Sequence, residues 1–160
     1  MRYEYSALKI FARDDAALKA AEILRGEIES RTGKLSEITG SDRADISFIA
    51  DPDGLRDGYE IEQDGKRLVF KAQGIRGLIF AAGMFLRKIE VSGKKITLIQ
   101  DIDGRYEPDK RIRGHQLGYR TTPNSYDAWD IEDYRRYYLD LMFFGCNTVE
   151  HIPSNGLDAK

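Results

Sequence analysis

The chain has 160 residues with 27 acidic and 25 basic side chains, and this near balance argues against nucleic acid as a partner. Its 41% hydrophobic and 32% charged residues are typical of a globular protein, and no apolar run reaches the roughly 18 residues that a membrane span requires. The single cysteine, Cys146, excludes an internal disulfide framework, and the length excludes a complete (β/α)₈ barrel of about 250 residues.

The first elements are predicted to be a strand within residues 5–12 and a helix that Asp14 caps. Apolar residues then recur at helical spacing, and Gly33 follows where a helix end favours positive φ. This apolar stripe contains Ala17, Ala20, Ala21, Leu24 and Ile28.

A strand at residues 45–50, a hairpin around Asp64-Gly65, a helix over 75–89 and a strand at 96–99 follow in this order. Helices separated by strands that form hairpins indicate an α/β fold. We expect an α+β two-layer sandwich with both helices on one face of a mixed sheet, spanning residues 1–103.

Residues 104–111 are mostly charged and are predicted to be a linker. Beyond them, a strand over 112–119, a polar loop, a helix capped by Asp130 and a strand over 148–152 predict a βαβ unit. We expect residues 112–160 to be the opening β-α-β segment of a (β/α)₈ barrel that this chain leaves incomplete. Gly145 ends the predicted helix.

Most of the chemistry-bearing residues lie in this second part of the chain. Sugar-binding sites combine flat apolar faces for stacking with fixed donors and acceptors for hydroxyls. Barrel sites lie at the carboxyl ends of the strands. The predicted substrate-binding residues are Arg113, His115, Tyr119, Arg120, Asn124, Asp127, Trp129 and Glu150.

Each of these residues also has a structural interpretation. Arg113 would pair with a local acid, His115 would be a buried histidine, Asp127 would cap the helix, and Trp129 would pack beneath the helix start. Glu150 and His151 are adjacent on a strand and point to opposite faces, which disfavours a shared metal ion. We expect no cofactor and no metal, and we identify no catalytic residue.

Two segments resemble a known accessory domain. Residues 20–33 and 59–83, with the helix start Gly74-Ile75-Arg76-Gly77-Leu78, resemble the non-catalytic α/β domain that precedes the catalytic barrel in α-glucuronidases and β-hexosaminidases. Residues 113–120 resemble the first barrel strand of β-hexosaminidases, whose Arg-Gly start implies that Arg113 grips sugar hydroxyls at the cleavage point. Gly118 stands where that family has Asp, and the resemblance does not extend to Arg120. Residues 124–130 and 144–150 are similar to a further glycosidase-like group with a Phe-Gly-x-Asn turn.

The resemblance implies the N-terminal portion of a glycoside hydrolase that acts on polysaccharides or glycans. This fragment lacks the expected acid pair and would be inactive alone, and the carbohydrate would bind through the full-length enzyme. The alternative is a stand-alone carbohydrate-binding or oligomerisation module without catalysis. We also expect self-association through the uncovered barrel segment. Localisation stays open, because a secreted or periplasmic parent would need a signal peptide and the N-terminus here lacks one.

Overall fold

The computed structural model describes residues 1–34, 36–117 and 128–151. The chain divides into two compact units between Asp109 and Lys110. Unit 1 contains β1 (Tyr3–Tyr5), β2 (Lys9–Ala12), α1 (Asp15–Thr32), β3 (Glu37–Thr39), β4 (Ile46–Ala50), β5 (Tyr59–Asp64), β6 (Arg67–Ala72), α2 (Ile75–Arg87), β7 (Ile89–Ser92), β8 (Lys95–Leu98) and β9 (Gly104–Tyr106). Unit 2 contains β10 (Gly114–Leu117), α3 (Ile131–Phe143) and β11 (Thr148–His151).

Unit 1 is built on a mixed six-stranded sheet with the order β3-β2-β4-β6-β5-β9. The first four strands are parallel, and β5 is antiparallel to both of its neighbours. Helix α1 packs on β2 and β4, α2 packs on β4, β5 and β6, and the two helices contact each other. Both helices therefore lie on one face, and the predicted two-layer α/β sandwich is confirmed. A small antiparallel sheet, β1-β8-β7, completes the unit.

Helix α1 begins and ends where its sequence indicates. The Asp14 carboxylate accepts a hydrogen bond from the Ala17 amide at 3.0 Å, which satisfies a free donor of the first turn. Gly33 ends the helix with φ of 63°, a left-handed conformation that glycine adopts without steric cost. The predicted stripe of Ala17, Ala20, Ala21, Leu24 and Ile28 is buried.

The core of unit 1 lies between these helices and the sheet. Phe48 and Phe70 meet edge to face with ring centroids 5.1 Å apart, and Tyr5 meets Phe85 at 6.2 Å. The Tyr5 hydroxyl donates to the Lys66 carbonyl at 2.6 Å, so the buried phenol keeps a hydrogen-bond partner. Burial raises the pKa of Tyr5 well above its usual value. The neutral phenol is thus part of the packed core.

The predicted linker at residues 104–111 differs from the structure in its first part, because Gly104–Tyr106 is strand β9 at the edge of the six-stranded sheet. Tyr106 stacks on Tyr59 with ring centroids 4.9 Å apart, and its hydroxyl donates to the Ile102 carbonyl at 3.0 Å. The three residues Gly104–Tyr106 carry no local strand pattern, and this strand forms by pairing with β5, far back in the sequence. The predicted strand at 5–12 likewise divides into β1 and β2.

Unit 2 contains the predicted βαβ arrangement. Strands β10 and β11 are parallel, with Gly114 opposite Thr148 and Leu117 opposite His151. A capping box opens α3: the Asp130 carboxylate accepts from the Asp133 amide at 3.0 Å, and the Asp133 carboxylate accepts from the Asp130 amide at 3.1 Å. Among the described helices of the chain, none is both long enough and apolar enough to cross a membrane.

Candidate functional site

Four of the eight predicted substrate-binding residues belong to the described part of unit 2. These are Arg113, His115, Trp129 and Glu150. The other four, Tyr119, Arg120, Asn124 and Asp127, lie outside the described residues.

The two parallel strands of unit 2 present two different faces. Side chains alternate along a strand, so His115 and Leu117 lie on one face of β10 and Gln116 lies on the other. The pairing places His115 beside Val149 and Gln116 beside Glu150. His115 and Glu150 therefore lie on opposite faces of the pair and do not share a site.

Helix α3 packs on the face that carries His115. The Tyr137 hydroxyl is hydrogen-bonded to His115 Nδ1, and Tyr134 stacks on His151 with ring centroids 5.5 Å apart. Trp129 contacts the same tyrosines: its ring centroid lies 5.4 Å from that of Tyr134 and 5.1 Å from that of Tyr137. Burial, with smaller effects of neighbouring groups, raises the pKa of Tyr137. Trp129 and His115 thus join an aromatic cluster between helix and strands.

Arg113 lies immediately before β10, at the amino end of the strand pair. Its Nε donates to the Gly145 carbonyl at 2.8 Å, and an Nη donates to the Lys110 carbonyl at 2.7 Å. Its backbone amide donates to Asn147 Oδ1 at 3.0 Å. These bonds tie the turn before β11 to the entry of β10. Gly145 and Asn147 of the Phe-Gly-x-Asn turn therefore connect this turn to Arg113 at the start of β10.

Glu150 has a partner that the sequence did not single out. Gln116 Nε2 donates to Glu150 Oε2 at 2.8 Å, and both side chains are exposed. The pair lies on the face opposite α3 and in the carboxyl-terminal half of both strands. The sequence alone does not indicate Gln116, because its position beside Glu150 depends on the register of β10 against β11. The predicted separation of Glu150 from His151 is confirmed by their different partners.

The chain shares its fold with solved glycoside hydrolases. It matches a GH20 exo-β-N-acetylglucosaminidase from Vibrio harveyi, solved with N-acetylglucosamine, at 16% identity and a TM-score of 0.72, over 94% of this chain and 23% of that one. It matches the GH20 β-N-acetylhexosaminidase from Streptomyces coelicolor A3(2) at 14% identity and 0.72, over 94% and 31%. A GH138 enzyme targeting pectin rhamnogalacturonan II matches at 15% identity and 0.63, over 89% and 18%.

These matches confirm that the chain resembles β-hexosaminidases in fold, as the sequence implied. At identities of 16% or less, the likeness establishes the fold alone. The chain spans less than a third of the length of each of these three enzymes. No known protein family matches the chain, and no curated protein matches it in sequence.

Proposed function

We propose that the chain supplies the non-catalytic accessory domain and the opening β-α-β segment of a glycoside hydrolase. The observation that carries this proposal is the geometry of unit 2: two parallel strands, a crossover helix on one face, and a polar pair on the other. In a (β/α)₈ barrel the face away from the helices is the interior, and the active site lies at the carboxyl ends of the strands. Gln116 and Glu150 would occupy that position.

The match to the Vibrio harveyi enzyme supports the proposal, because it covers 94% of this chain and therefore includes residues from both units. A match confined to unit 1 would support only an accessory domain, since that domain has 109 of the 160 residues. The GH138 enzyme shares the fold and targets pectin rhamnogalacturonan II, so the fold leaves the sugar open.

Glycoside hydrolysis needs two carboxyl groups beside the scissile bond, or one carboxyl group with an acetamido group of the substrate. Among the described residues of β10 and β11, Glu150 is the one carboxylate. We assign it to hydroxyl binding and leave the catalytic acids to later barrel strands. The chain alone would therefore be inactive.

The other predicted residues take different roles in this proposal. The residues at positions 119, 120, 124 and 127 lie outside the described residues, and their substrate-binding role stays a prediction from the sequence. His115 and Trp129 would support the site by packing α3. Arg113 would brace the amino end of the strands through the Gly145 and Lys110 carbonyls.

The proposal is tested with the product of the native gene and with the 160-residue chain, each assayed against a panel of nitrophenyl glycosides that includes the N-acetyl-β-glucosaminide. We expect hydrolysis by the gene product, none by the chain, and a loss of kcat/KM of about tenfold or more in Glu150→Gln. Glu132→Gln, on the exposed side of α3, is the matched control. Tight glycan-array binding by the chain with no hydrolysis by the gene product would instead favour the stand-alone module.

A further inference from the structure

We propose that unit 1 carries a binding cleft of its own for a zwitterionic ligand of dipeptide size, on the sheet face opposite the two helices. The cleft has a volume of about 520 Å³, which lies within the range of small-molecule sites in proteins. Strands β4, β5 and β6 and the segments before β4 and β9 line it. All of its lining residues belong to unit 1, so the inference does not depend on the proposed function.

Ser47 is the buried hydroxyl of this cleft. Its neighbours Ile46 and Phe48 are buried in the core beneath the helices, so Ser47 lies on the opposite face of β4. The pairing of β4 with β6 places Ser47 beside Val69, which also lines the cleft. Ser47 is only 6% exposed, although no helix covers this face of the sheet. It therefore lies at the base of the cleft.

The Ser47 hydroxyl forms no hydrogen bond with any residue that the structure describes, and its oxygen stays accessible from the cleft. A buried hydroxyl without a partner destabilises a fold, because it has given up its hydrogen bonds to water. A ligand in the cleft would supply the missing partner. Because a hydroxyl both donates and accepts, Ser47 suits a carboxylate as well as an ammonium group.

Two of the carboxylates that line the cleft already have partners. Glu62 forms an ion pair with Lys71. The Asp103 carboxylate accepts a hydrogen bond from the Gln63 backbone amide at 2.8 Å. These two acids are therefore less available to a ligand than the other charged groups of the cleft.

The remaining charged groups of the cleft are two carboxylates and two guanidinium groups. None of them forms an ion pair with a described residue: Asp42, Asp64, Arg43 and Arg67. Asp64 lies directly opposite Arg67 in the hairpin of β5 and β6, yet the two side chains are not paired. The cleft thus presents both signs of charge in equal number.

This balance of charge selects the class of ligand. The two aspartates would repel a simple anion, and the two arginines would repel a simple cation. A ligand with a carboxylate and an ammonium group meets both sets, and the planar guanidinium groups suit a carboxylate in particular. A dipeptide carries these two charges at its ends, and its small apolar side chains can contact Ala44 and Val69.

The test is a two-dimensional NMR titration of the 160-residue chain with alanylalanine and with two blocked forms of it. N-acetyl-alanylalanine lacks the ammonium charge, and alanylalaninamide lacks the carboxylate charge. We expect saturable shifts of the Ser47 and Val69 backbone amides with alanylalanine, and an affinity lower by about tenfold for each blocked form. Equal affinities for the three peptides, or no saturable shift with alanylalanine, would overturn the site.

Variants assign the parts of the cleft. Arg43→Gln combined with Arg67→Gln should remove the preference for alanylalanine over its amide, and Asp42→Asn should weaken the preference over the acetylated form. Ser47→Ala should lower the affinity for alanylalanine by about threefold to tenfold. Ser30→Ala, on the exposed side of α1, is the matched control and should change none of these affinities. An unchanged preference in the double arginine variant contradicts the proposal.

Discussion

Gly77 of α2 approaches Gly58 so closely that a Cβ on Gly77 would lie 2.5 Å from the Gly58 carbonyl oxygen and 2.6 Å from the Ala72 Cβ. The start of α2 thereby packs directly on the backbone before β5 and on the end of β6. Glycine in a helix costs about 1 kcal/mol relative to alanine, and this contact offsets the cost. The close approach gives a physical reason for the second glycine of the Gly-x-x-Gly motif.

Gly77→Ala should therefore lower the free energy of unfolding of unit 1 by about 1–3 kcal/mol, because the added methyl group forces backbone apart. Gly26→Ala is the matched control, since Gly26 is exposed on α1 and a Cβ there meets nothing within 4 Å. It should raise stability by about 1 kcal/mol. Urea denaturation measures both. Equal effects of the two substitutions would show that the contact at Gly58 carries no strain.

A chain that ends at Asp109 should fold cooperatively, because unit 1 has its own core and sheet. Ending it at Asp103, the boundary indicated by composition, removes β9 and the Tyr106 ring that stacks on Tyr59. The shorter chain should then unfold several degrees lower. Calorimetry on the two shortened chains measures the difference in Tm. Identical Tm values would mean that β9 adds no stability.

Alkaline pH should destabilise unit 1 through its buried phenols. Burial, opposed by the attraction of Arg87, raises the pKa of Tyr59 to about 12 in the folded chain, whereas an unfolded tyrosine titrates near pH 10. The contribution of the neutral Tyr59 phenol to the free energy of unfolding is complete below about pH 10 and is lost as pH rises towards 12. Unfolding free energies measured at intervals across this range should fall less steeply in Tyr59→Phe. Parallel slopes for variant and wild type would contradict the assignment.

The 160-residue chain should self-associate, whereas residues 1–109 should be monomeric. Ile131 is 74% exposed and Phe144 is 72% exposed, and the outer edges of the two-stranded sheet of unit 2 have no strand partner among the described residues. Light scattering against concentration measures the mass. A double variant, Ile131→Asp with Phe144→Ser, should shift the chain towards monomer, while Glu132→Gln should not. A monomeric wild-type chain at high concentration would refute this expectation.

Local sequence signals predicted the fold well where local physics decides it. The Asp14 cap, the Gly33 end, the Asp64-Gly65 turn and the Asp130 cap all depend on neighbouring residues, and each lies where it was expected. Strand β9 was not predicted because its pairing with β5 joins residues more than forty positions apart. No pattern within three residues encodes that pairing.

The candidate site was predicted only in part, again because pairing between distant strands decides which side chains meet. The sequence placed Glu150 on the second strand of the βαβ unit, where the structure has it, and grouped it with His115, which faces α3. Which face a side chain takes depends on strand register, and register depends on the partner strand. Gln116 was missed because its significance arises only when Glu150 lies opposite.

The central claim is that β10 and β11 open a catalytic barrel with Glu150 inside it. A crystal structure of the native gene product with a bound neutral sugar measures this directly, through the distance between the Glu150 carboxylate and the nearest sugar hydroxyl oxygen. We predict a hydrogen bond of about 2.5–3.0 Å within a closed ring of parallel strands. A Glu150 that faces bulk solvent, on a two-stranded sheet that no further strand extends, would contradict the account.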